Sequence, residues 1–394
     1  MTQDKIDILV IGSGMAGLSL AALLGKQGFN VTVVDREKPE VMATEAFDAR
    51  TIALSIGSRD ILAPLRLWDT LLPHGAPITK IDVQEGHDPY LLNFDANTTE
   101  DGAFGWIFPN TVVRGNLYQS ALAHGVKFVT PAVLKNIEQN DDSVTAILQD
   151  GTRLTANVLI GADGRQSRVR DLIGVPTIQL PYHHIAWVGL VHHEHPHDGL
   201  AVERFYTDGP FAILPFVDDA SGKHRSAIVW SQHDKTGRVK RVLPSLEQIT
   251  EGLKPMFDER YGDIQAIGKW AAYPLSLTHA KSYVAGNVAL ISDAAHAIHP
   301  IAGQGLNLGM RDVKVLVEEL AMTQTSEKDI QQALEAYQSR RRFDVFAMIA
   351  ATDILTRLFG NRLKTVAKLR SLGLGLVNHV PPLKRFFANA AMGK

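Results

Sequence analysis

The sequence predicts an α/β fold in which a discontinuous Rossmann-like nucleotide-binding domain carries a second, mainly antiparallel β-sheet domain and a C-terminal helical region. Three observations lead to this prediction. An apolar strand, a glycine-rich turn and a helix open the chain, alternating runs with aromatic residues fill its middle, and its last part lacks strand alternation. The predicted boundaries are 1–73, 109–175 and 276–326 for the nucleotide-binding domain, 74–108 and 176–275 for the sheet domain, and 327–394 for the helical region.

The first element is a strand followed by a phosphate-binding turn. Residues 6–11 form an apolar, β-branched run, residues 12–17 have the spacing Gly-x-Gly-x-x-Gly, and a helical pattern begins at once. Glycines at this spacing give a tight turn and let a pyrophosphate approach the helix N-terminus. A second strand, residues 31–34, ends in Asp35, 21 residues after Gly14. A carboxylate at this place is expected to bind a ribose hydroxyl.

Two later turns follow predicted strands of the same domain. Residues 156–160 end at the Gly-Ala-Asp-Gly turn 161–164, and residues 288–291 end at Ser-Asp 292–293, upstream of a glycine-rich helix start at 303–305. Each turn alone is a weak signal. The three turns together predict the contacts of one FAD molecule.

Composition limits the other possibilities. The chain has 394 residues, of which 45% are hydrophobic and 21% charged, as in a globular protein of two or three domains. Its net charge of −2 gives no electrostatic reason to expect nucleic acid. The absence of cysteine excludes disulfides, cysteine-ligated zinc and thiol catalysis. No leader pattern and no run of about 20 apolar residues occurs, so we expect a cytoplasmic protein.

The C-terminal segment is basic. Residues 354–394 contain no Asp or Glu but carry eight lysines and arginines. Most apolar and basic residues fall on opposite faces of a helix, although Arg362 and Arg370 interrupt the pattern. Two interpretations stay open: a helix packed on the body of the protein, or a docking surface for the inner face of the membrane or for a partner.

Histidines occur at two places that suggest chemistry. Residues 192–197 contain four histidines, but the segment follows a predicted strand and includes proline. A solvated loop is therefore favoured over a ligand cluster, and no metal is predicted. His296 and His299 flank the last predicted cofactor turn, where packing or backbone positioning is favoured over proton transfer.

These motifs resemble those of the single-component FAD-dependent aromatic hydroxylases, which are p-hydroxybenzoate-hydroxylase-like flavin monooxygenases. The three turns carry the resemblance, and its most specific part is His-Pro-Ile-Ala-Gly-Gln-Gly-Leu-Asn-Leu-Gly-Met-Arg-Asp at 299–312. Residues 47–54, 203–210 and 273–278 make the chain more similar to the ubiquinone-biosynthesis branch.

The resemblance implies an aromatic-ring hydroxylase that uses NAD(P)H and O2 through a flavin C4a-hydroperoxide. FAD would be bound non-covalently, and NAD(P)H would bind transiently without a Rossmann domain of its own. The implied substrate is a polyprenylated phenol of ubiquinone biosynthesis, in particular 2-polyprenyl-6-methoxyphenol. Two alternatives stay open: a hydroxylase of another small aromatic compound, and a non-catalytic FAD-bound scaffold subunit of a quinone-biosynthesis complex.

The resemblance also implies which residues form the site. The turn before the last glycine-rich helix, with Pro300, Gly303 and Gln304, would act at the flavin. The implied cofactor contacts are Gly12, Gly14, Met15, Ala16, Gly17, Asp35, Arg36, Arg50, Arg114, Asp163, Asp293, Pro300, Gly303, Gly305, Leu306 and Asn307. The substrate is expected between the flavin and the antiparallel sheet, against Phe205, Phe211, Ile213 and Trp230.

One position departs from the family pattern. The family usually has Gly-Asp where this chain has Ser292-Asp293, and the acid expected to hold the flavin ribityl chain is kept. Because serine adopts ordinary negative φ without strain, the substitution predicts such a φ at position 292.

Overall fold

Three β-sheets and nine α-helices organise the part of the chain that the computed structural model describes, which is residues 5–42, 44, 50–86, 92–98, 101–206, 208–233, 244–298, 304–325, 329–359, 389 and 392–393. The helices are α1 Met15–Lys26, α2 Pro39–Met42, α3 Ile56–Leu62, α4 Trp68–Leu71, α5 Asn110–Ala123, α6 Arg168–Leu172, α7 Leu246–Leu253, α8 Gln304–Gln324 and α9 Ile330–Phe359.

The strands occur singly between helices near the start of the chain and in runs of four farther along it. They are β1 Ile6–Ile11, β2 Val31–Val34, β3 Thr51–Ser55, β4 Ala76–Ile78, β5 Lys80–Glu85, β6 Leu92–Asp95, β7 Gly105–Pro109, β8 Lys127–Val129, β9 Leu134–Gln139, β10 Val144–Leu148, β11 Arg153–Gly161, β12 Thr177–His193, β13 Leu200–Tyr206, β14 Gly209–Phe216, β15 His224–His233, β16 Ile264–Ala280, β17 Val284–Ala285, β18 Val288–Leu290 and β19 His296–Ala297. A single 3-10 turn, Ser292–Ala294, lies between the last two strands.

The first sheet brings the three predicted cofactor turns to one edge. Its strand order is β17-β18-β11-β1-β2-β8, with the hairpin of β9 and β10 beside β11. Strands β1, β2, β11 and β18 run parallel, so their carboxyl ends meet where Ile11 lies between Val34 and Gly161. Strand β2 lies on one side of β1 and β11 lies on the other, so the order of the strands reverses at β1. Open α/β sheets bind ligands at such a point.

The second sheet is mainly antiparallel and buries both of its faces in part. Its order is β19-β16-β12-β15-β14-β13-β5-β6, with only β13 and β5 parallel. One face packs against Ile249 and Leu253 of α7 and against Tyr261, which form a separate hydrophobic core. The other face contributes Ala201 and Ala227 to the main core, which it shares with the first sheet. These two sheets confirm the predicted fold class.

The predicted domain boundaries remain a proposal. Strand β16 runs from 264 to 280 and so continues through the proposed boundary at 275–276. The segment 74–108 divides between two sheets, because β5 and β6 join the antiparallel sheet whereas β7 pairs with both β3 and β4 in the third sheet.

Two long helices follow the last cofactor turn. Tyr337 of α9 donates a hydrogen bond to the Leu290 carbonyl at 2.7 Å, which fixes α9 to the end of β18. Arg340 joins α9 to Glu318 and Glu319 of α8. Within the described residues, no helix is long and apolar enough to cross a membrane. Most of the basic C-terminal segment, residues 360–388, lies outside the described residues.

Candidate FAD and substrate site

The first turn has the geometry that a pyrophosphate requires. Gly12 has a φ of +109°, which glycine adopts without strain, and a side chain there would meet the Ala162 backbone. Above Gly14, by contrast, a side chain would find open space, and no side chain caps α1. The first-turn amides of α1, from Met15 to Gly17, have no acceptor within the helix and face this space. Phosphate oxygens fit there as acceptors.

Asp35 lies beside the turn, and its carboxylate already accepts three hydrogen bonds. One of its carboxylate oxygens accepts hydrogen bonds from the Ser13 amide at 2.6 Å and the Ser13 hydroxyl at 2.9 Å. The other oxygen accepts from the Glu37 amide at 2.9 Å. Since an ionised carboxylate accepts about four hydrogen bonds, Asp35 can position the turn and still bind a ribose hydroxyl.

The second turn supports the first. Ala162 lies against Gly12 and Gly17, so this turn fixes how closely α1 approaches the sheet. Asp163 accepts hydrogen bonds from the Ser167 hydroxyl at 2.5 Å and the Val169 amide at 3.0 Å, which hold the start of α6. Burial raises the pKa of the Asp163 carboxyl, although both bonds favour its ionised form. In the described residues Asp163 therefore positions the turn, and a direct cofactor contact stays a prediction.

The third turn is joined to the second by a buried arginine that the motifs did not reveal. Arg170 donates to the Ala294 carbonyl at 3.0 Å and to the Arg165 carbonyl at 3.1 Å. Beside this junction, the half-buried Asp293 forms no hydrogen bond or ion pair with any described residue. A half-buried carboxyl group without a described partner suits the predicted hydrogen bond to the flavin ribityl chain.

The φ predicted for Ser292 is wrong. Ser292 has a φ of +55°, in the left-handed region where glycine is favoured. Its amide donates to Asp312 at 2.8 Å, and its hydroxyl group packs beside Gly309 of α8. The chain therefore adopts the backbone conformation that a glycine would take and holds serine in it.

The start of α8 offers the other anion-binding end of the site. Gln304, Gly305 and Leu306 form its first turn, and a side chain at Gly305 would find open space. Asn307 fixes the helix start, because its side chain accepts from the Ser55 amide at 3.0 Å and donates to the Ala53 carbonyl at 3.1 Å. The partial positive charge of a helix N-terminus favours negative charge on a ligand placed there.

Two of the predicted catalytic residues, Pro300 and Gly303, lie outside the described residues, as does His299. Only Gln304 of the predicted catalytic set can be placed, at the first position of α8.

A buried ionic network supports the α8 turn from behind. His296 bonds to Asp312 at 2.6 Å, and the Arg341 guanidinium donates to the second Asp312 oxygen at 2.6 Å. Burial opposes ionisation of Asp312, but the charges and hydrogen bonds of His296 and Arg341 outweigh it and lower the pKa of the carboxyl. His296 is thus held in a buried bond to Asp312, and the packing or positioning role favoured for it stays a prediction. Arg341 gave no sequence signal because its partner is 29 residues away.

The three predicted arginines have different surroundings. Arg114 is buried and donates to the Met42 carbonyl at 3.0 Å, so it holds the segment that follows β2. Arg50 is exposed, directly precedes β3 and lies 5.5 Å from the ring centre of Tyr273 on β16. Arg36 is exposed next to Asp35. Their contacts with FAD stay predictions.

Strand register corrects three of the four predicted substrate residues. Phe211 and Ile213 are fully buried in the core beneath α7, and Trp230 packs against the same core. They lie on the face of the sheet that points away from the nucleotide-binding domain, because side chains alternate along each strand. Phe205 lies on the opposite face, paired with Pro210, and remains a candidate.

A row of side chains on that inner face is not packed into either core. Register places Glu203, Ala212, Val229, Val188 and Ala271 side by side on five strands. Of the residues described, these five belong to neither hydrophobic core, and all but Ala212 are half-buried. One flank of the row packs into the main core at Ala227, and the other leads to the Tyr273 ring beside Arg50. The row is therefore partly open, on the face of the sheet that shares the main core with the nucleotide-binding domain.

Histidine side chains of the segment 192–197 form hydrogen bonds within the sheet domain. His193 contacts the His195 carbonyl at 2.6 Å and the Ser226 hydroxyl at 2.9 Å. His197 contacts the Phe216 carbonyl at 3.0 Å. Over the described ranges, no group of three His, Asp or Glu side chains is arranged to hold a metal ion.

A family model described as an FAD binding domain matches residues 5–352. The chain belongs to this family. Over its whole length this flavoprotein is 37% identical to the ubiquinone hydroxylase UbiL of Rhodospirillum rubrum, covering 91% of that relative. It is 31% identical to the 3-demethoxyubiquinol 3-hydroxylase of Escherichia coli, with both chains covered completely. The p-nitrophenol 4-monooxygenase PnpA of Pseudomonas putida shares its fold with a TM-score of 0.83, at 18% identity over 99% of each chain.

These matches confirm the predicted family of FAD-dependent hydroxylases. The residues present fit the cofactor at three separate points: open space above Gly14 at a helix start, open space at Gly305 at a second helix start, and the Asp293 carboxylate between them. FAD is therefore the cofactor of this protein. The absence of cysteine leaves no thiol to attach it covalently.

Proposed function

We propose that this flavoprotein hydroxylates the aromatic ring of a polyprenylated phenol in ubiquinone biosynthesis, with NAD(P)H as electron donor and O2 as oxygen donor. The observation that carries the proposal is the inner row of the sheet, where four apolar side chains and one carboxyl face the nucleotide-binding domain. A prenylated phenol has a small polar head and an apolar tail, and such a wall suits both. Relatives aligned over the entire chain that are named for hydroxylation in this pathway support the same substrate class.

The chain's own residues bind the cofactor and arrange the reactants. Bound FAD supplies the redox chemistry that activates O2. The first turns of α1 and α8 hold its anionic parts, and Asp35 and Asp293 accept hydrogen bonds from its hydroxyl groups. The apolar row holds the phenol ring beside the cofactor and excludes water from the reacting carbon.

Labelled oxygen tests the proposal directly. Purified protein loaded with FAD is given NADPH or NADH, labelled O2 and a 2-methoxyphenol that carries one short prenyl group. We expect a product that is heavier by one labelled oxygen atom, and acid precipitation should release the flavin from the protein. If the protein oxidises NAD(P)H but releases only hydrogen peroxide with every prenylated phenol, the proposal is wrong. Faster turnover of unprenylated phenols would favour the small-aromatic alternative instead.

We also propose that the basic C-terminal segment brings the protein to its lipid substrate. Four of its cations are Lys364, Lys368, Lys384 and Arg385. A polyprenyl phenol resides in the bilayer, and lysines and arginines bind anionic lipid headgroups. The identity of the prenylated phenol, including the predicted 2-polyprenyl-6-methoxyphenol, stays part of the proposal.

A further inference from the structure

Glu203 is the one ionisable side chain in the inner row. It lies in the middle of β13, with Ala212 of β14 on one side and Val83 of β5 on the other. Beyond Ala212 the row continues with Val229 and Val188. The carboxyl group therefore lies on an interior strand that is paired on both sides, on the face where the aromatic ring is proposed to bind.

Among the described residues, Glu203 forms neither a hydrogen bond nor an ion pair. Its neighbour Arg204 points to the other face, where it donates to Gln84 at 2.6 Å and to Asp258 at 2.5 Å. The nearest arginine in sequence thus cannot neutralise the Glu203 carboxylate. A carboxyl held in apolar surroundings without a described partner lowers stability, and such strained ionisable groups cluster at functional sites.

The surroundings of Glu203 make it a base matched to neutral pH. Solvent reaches part of the side chain, but protein surrounds it closely enough that burial alone raises the pKa of its carboxyl to about 8. No charged neighbour contributes to this shift. The titratable or charged groups described on this face or near it include Glu85, His184, Asp208, His233, Arg50, Arg165 and the Arg59–Asp101 ion pair.

We propose that Glu203 receives the proton of the substrate's phenol hydroxyl group. This assignment rests on the proposed function. The phenol O–H bond breaks, its proton forms a bond to a Glu203 carboxylate oxygen, and the electron pair stays on the ring oxygen. That oxygen then donates electron density to the ring carbons ortho and para to it, which are the carbons that an electrophilic oxygen atom attacks. Overall, phenol, O2, NAD(P)H and one proton give the hydroxylated phenol, NAD(P)⁺ and water.

A series of fluorinated phenols tests the assignment. Fluorine is small and makes a phenol more acidic, so the need for a protein base falls along the series. For the unfluorinated prenyl methoxyphenol, we expect E203Q to lower kcat by about 10²–10⁴-fold, the usual range for loss of a general base. FAD affinity should stay unchanged, and the loss in kcat should shrink steadily as the phenol becomes more acidic. The matched control is E335Q, at an exposed position of α9 far from the sheet, which should behave as wild type.

The wild-type pH profile gives a second, independent readout. A base must be ionised to accept a proton, so kcat/KM should rise as pH increases through about 8. This rise should be absent in E203Q and weak in the wild type with the most acidic phenol. The wild-type pH profiles with the unfluorinated and the most acidic phenol can be compared even if E203Q loses its flavin, and that comparison alone tests whether a protein base is used.

The outcomes separate the assignment from the function on which it rests. A wild-type enzyme that hydroxylates the phenols, with E203Q equal to it or slower by one factor across the whole series, overturns the role of Glu203 alone. A wild-type enzyme that hydroxylates none of the phenols overturns the proposed function and the assignment together.

Discussion

At the scale of single residues, Asp35 holds the glycine turn and is also the residue expected to bind the cofactor ribose. Its carboxylate accepts two hydrogen bonds from Ser13, inside the turn, and one from the Glu37 amide, which leaves capacity for the expected ribose bond. A substitution at Asp35 therefore removes two functions, whereas a substitution at Ser13 removes only the hydroxyl bond that holds the turn.

Asp35→Ala should weaken FAD binding more than Ser13→Ala does. Loss of a charge-assisted hydrogen bond to the ribose costs about 1.5–3 kcal/mol, and loss of the neutral hydroxyl donor alone costs less. Titration of apoprotein with FAD, followed by flavin fluorescence, measures both affinities. Equal affinities in the two variants would show that the ribose does not bind Asp35.

Ser292→Gly should stabilise the protein. The φ of +55° at Ser292 strains any residue with a Cβ, and glycine removes that strain while giving back part of the gain as backbone entropy in the unfolded chain. We expect a net gain of roughly 0.5–1 kcal/mol in the free energy of unfolding. Ser292→Ala, which keeps the Cβ, is the control and should give no gain. Urea unfolding that ranks alanine with glycine would contradict the strain explanation.

At the scale of elements, the sequence predicted what depends on local order and missed what depends on register. The unit formed by β1, the turn and α1 was predictable because its apolar run, its glycines and its helix are contiguous. Alternation along β14 showed that Phe211 and Ile213 share a face, but nothing local shows which face meets the cofactor. The buried bonds of Arg170 and Arg341 join distant segments, so no motif spacing could reveal them.

Asp312→Asn should test how much the network behind α8 contributes. The substitution leaves Arg341 and His296 buried without their shared carboxylate, which should lower the free energy of unfolding by about 3–5 kcal/mol. Flavin affinity should fall as well, because the Ser292 amide loses its anionic acceptor. The control is Asp344→Asn, since Asp344 is partly exposed and bonds to the outer side of Arg341 and to Arg311.

The same carboxylate predicts how stability depends on pH. The pKa of Asp312 is lower in the folded protein than in the unfolded chain, so its contribution is complete above the unfolded value of about 4. That contribution is lost as pH falls below this value toward the folded pKa. Wild type and Asp312→Asn should therefore approach one another in stability in acid, and a difference that stays constant with pH would contradict the ionised network.

At the scale of the whole molecule, the parallel sheet carries the cofactor turns and the antiparallel sheet carries the face proposed to bind the substrate. The parallel sheet brings its carboxyl ends together at the cofactor turns, and the antiparallel sheet joins the same main core through one of its faces. The second face is closed by α7 and its core. Because α7 stabilises the sheet from behind, the inner row need not be filled by packing and can line a cleft.

Access to a lipid substrate should depend on the basic C-terminal segment rather than on this cleft alone. We expect a variant with Lys364, Lys368, Lys384 and Arg385 changed to Glu to keep its FAD content and its turnover of a short-chain phenol. Its association with anionic vesicles at low salt should fall, because each basic residue near such a surface contributes about 1 kcal/mol. Salt should reduce the difference from wild type, since screening shortens the range of the attraction.

The matched control reverses four exposed lysines elsewhere, Lys38, Lys80, Lys135 and Lys223, and so changes the net charge equally. If it loses vesicle association as strongly as the C-terminal variant, the attraction depends on total charge and not on this segment. If instead the C-terminal variant loses flavin or unfolds, the segment is part of the packed body of the protein. Only a selective loss of vesicle association, with flavin and short-chain turnover retained, supports a docking role. That result would explain how a chain whose described helices do not cross a membrane reaches a substrate that resides in one.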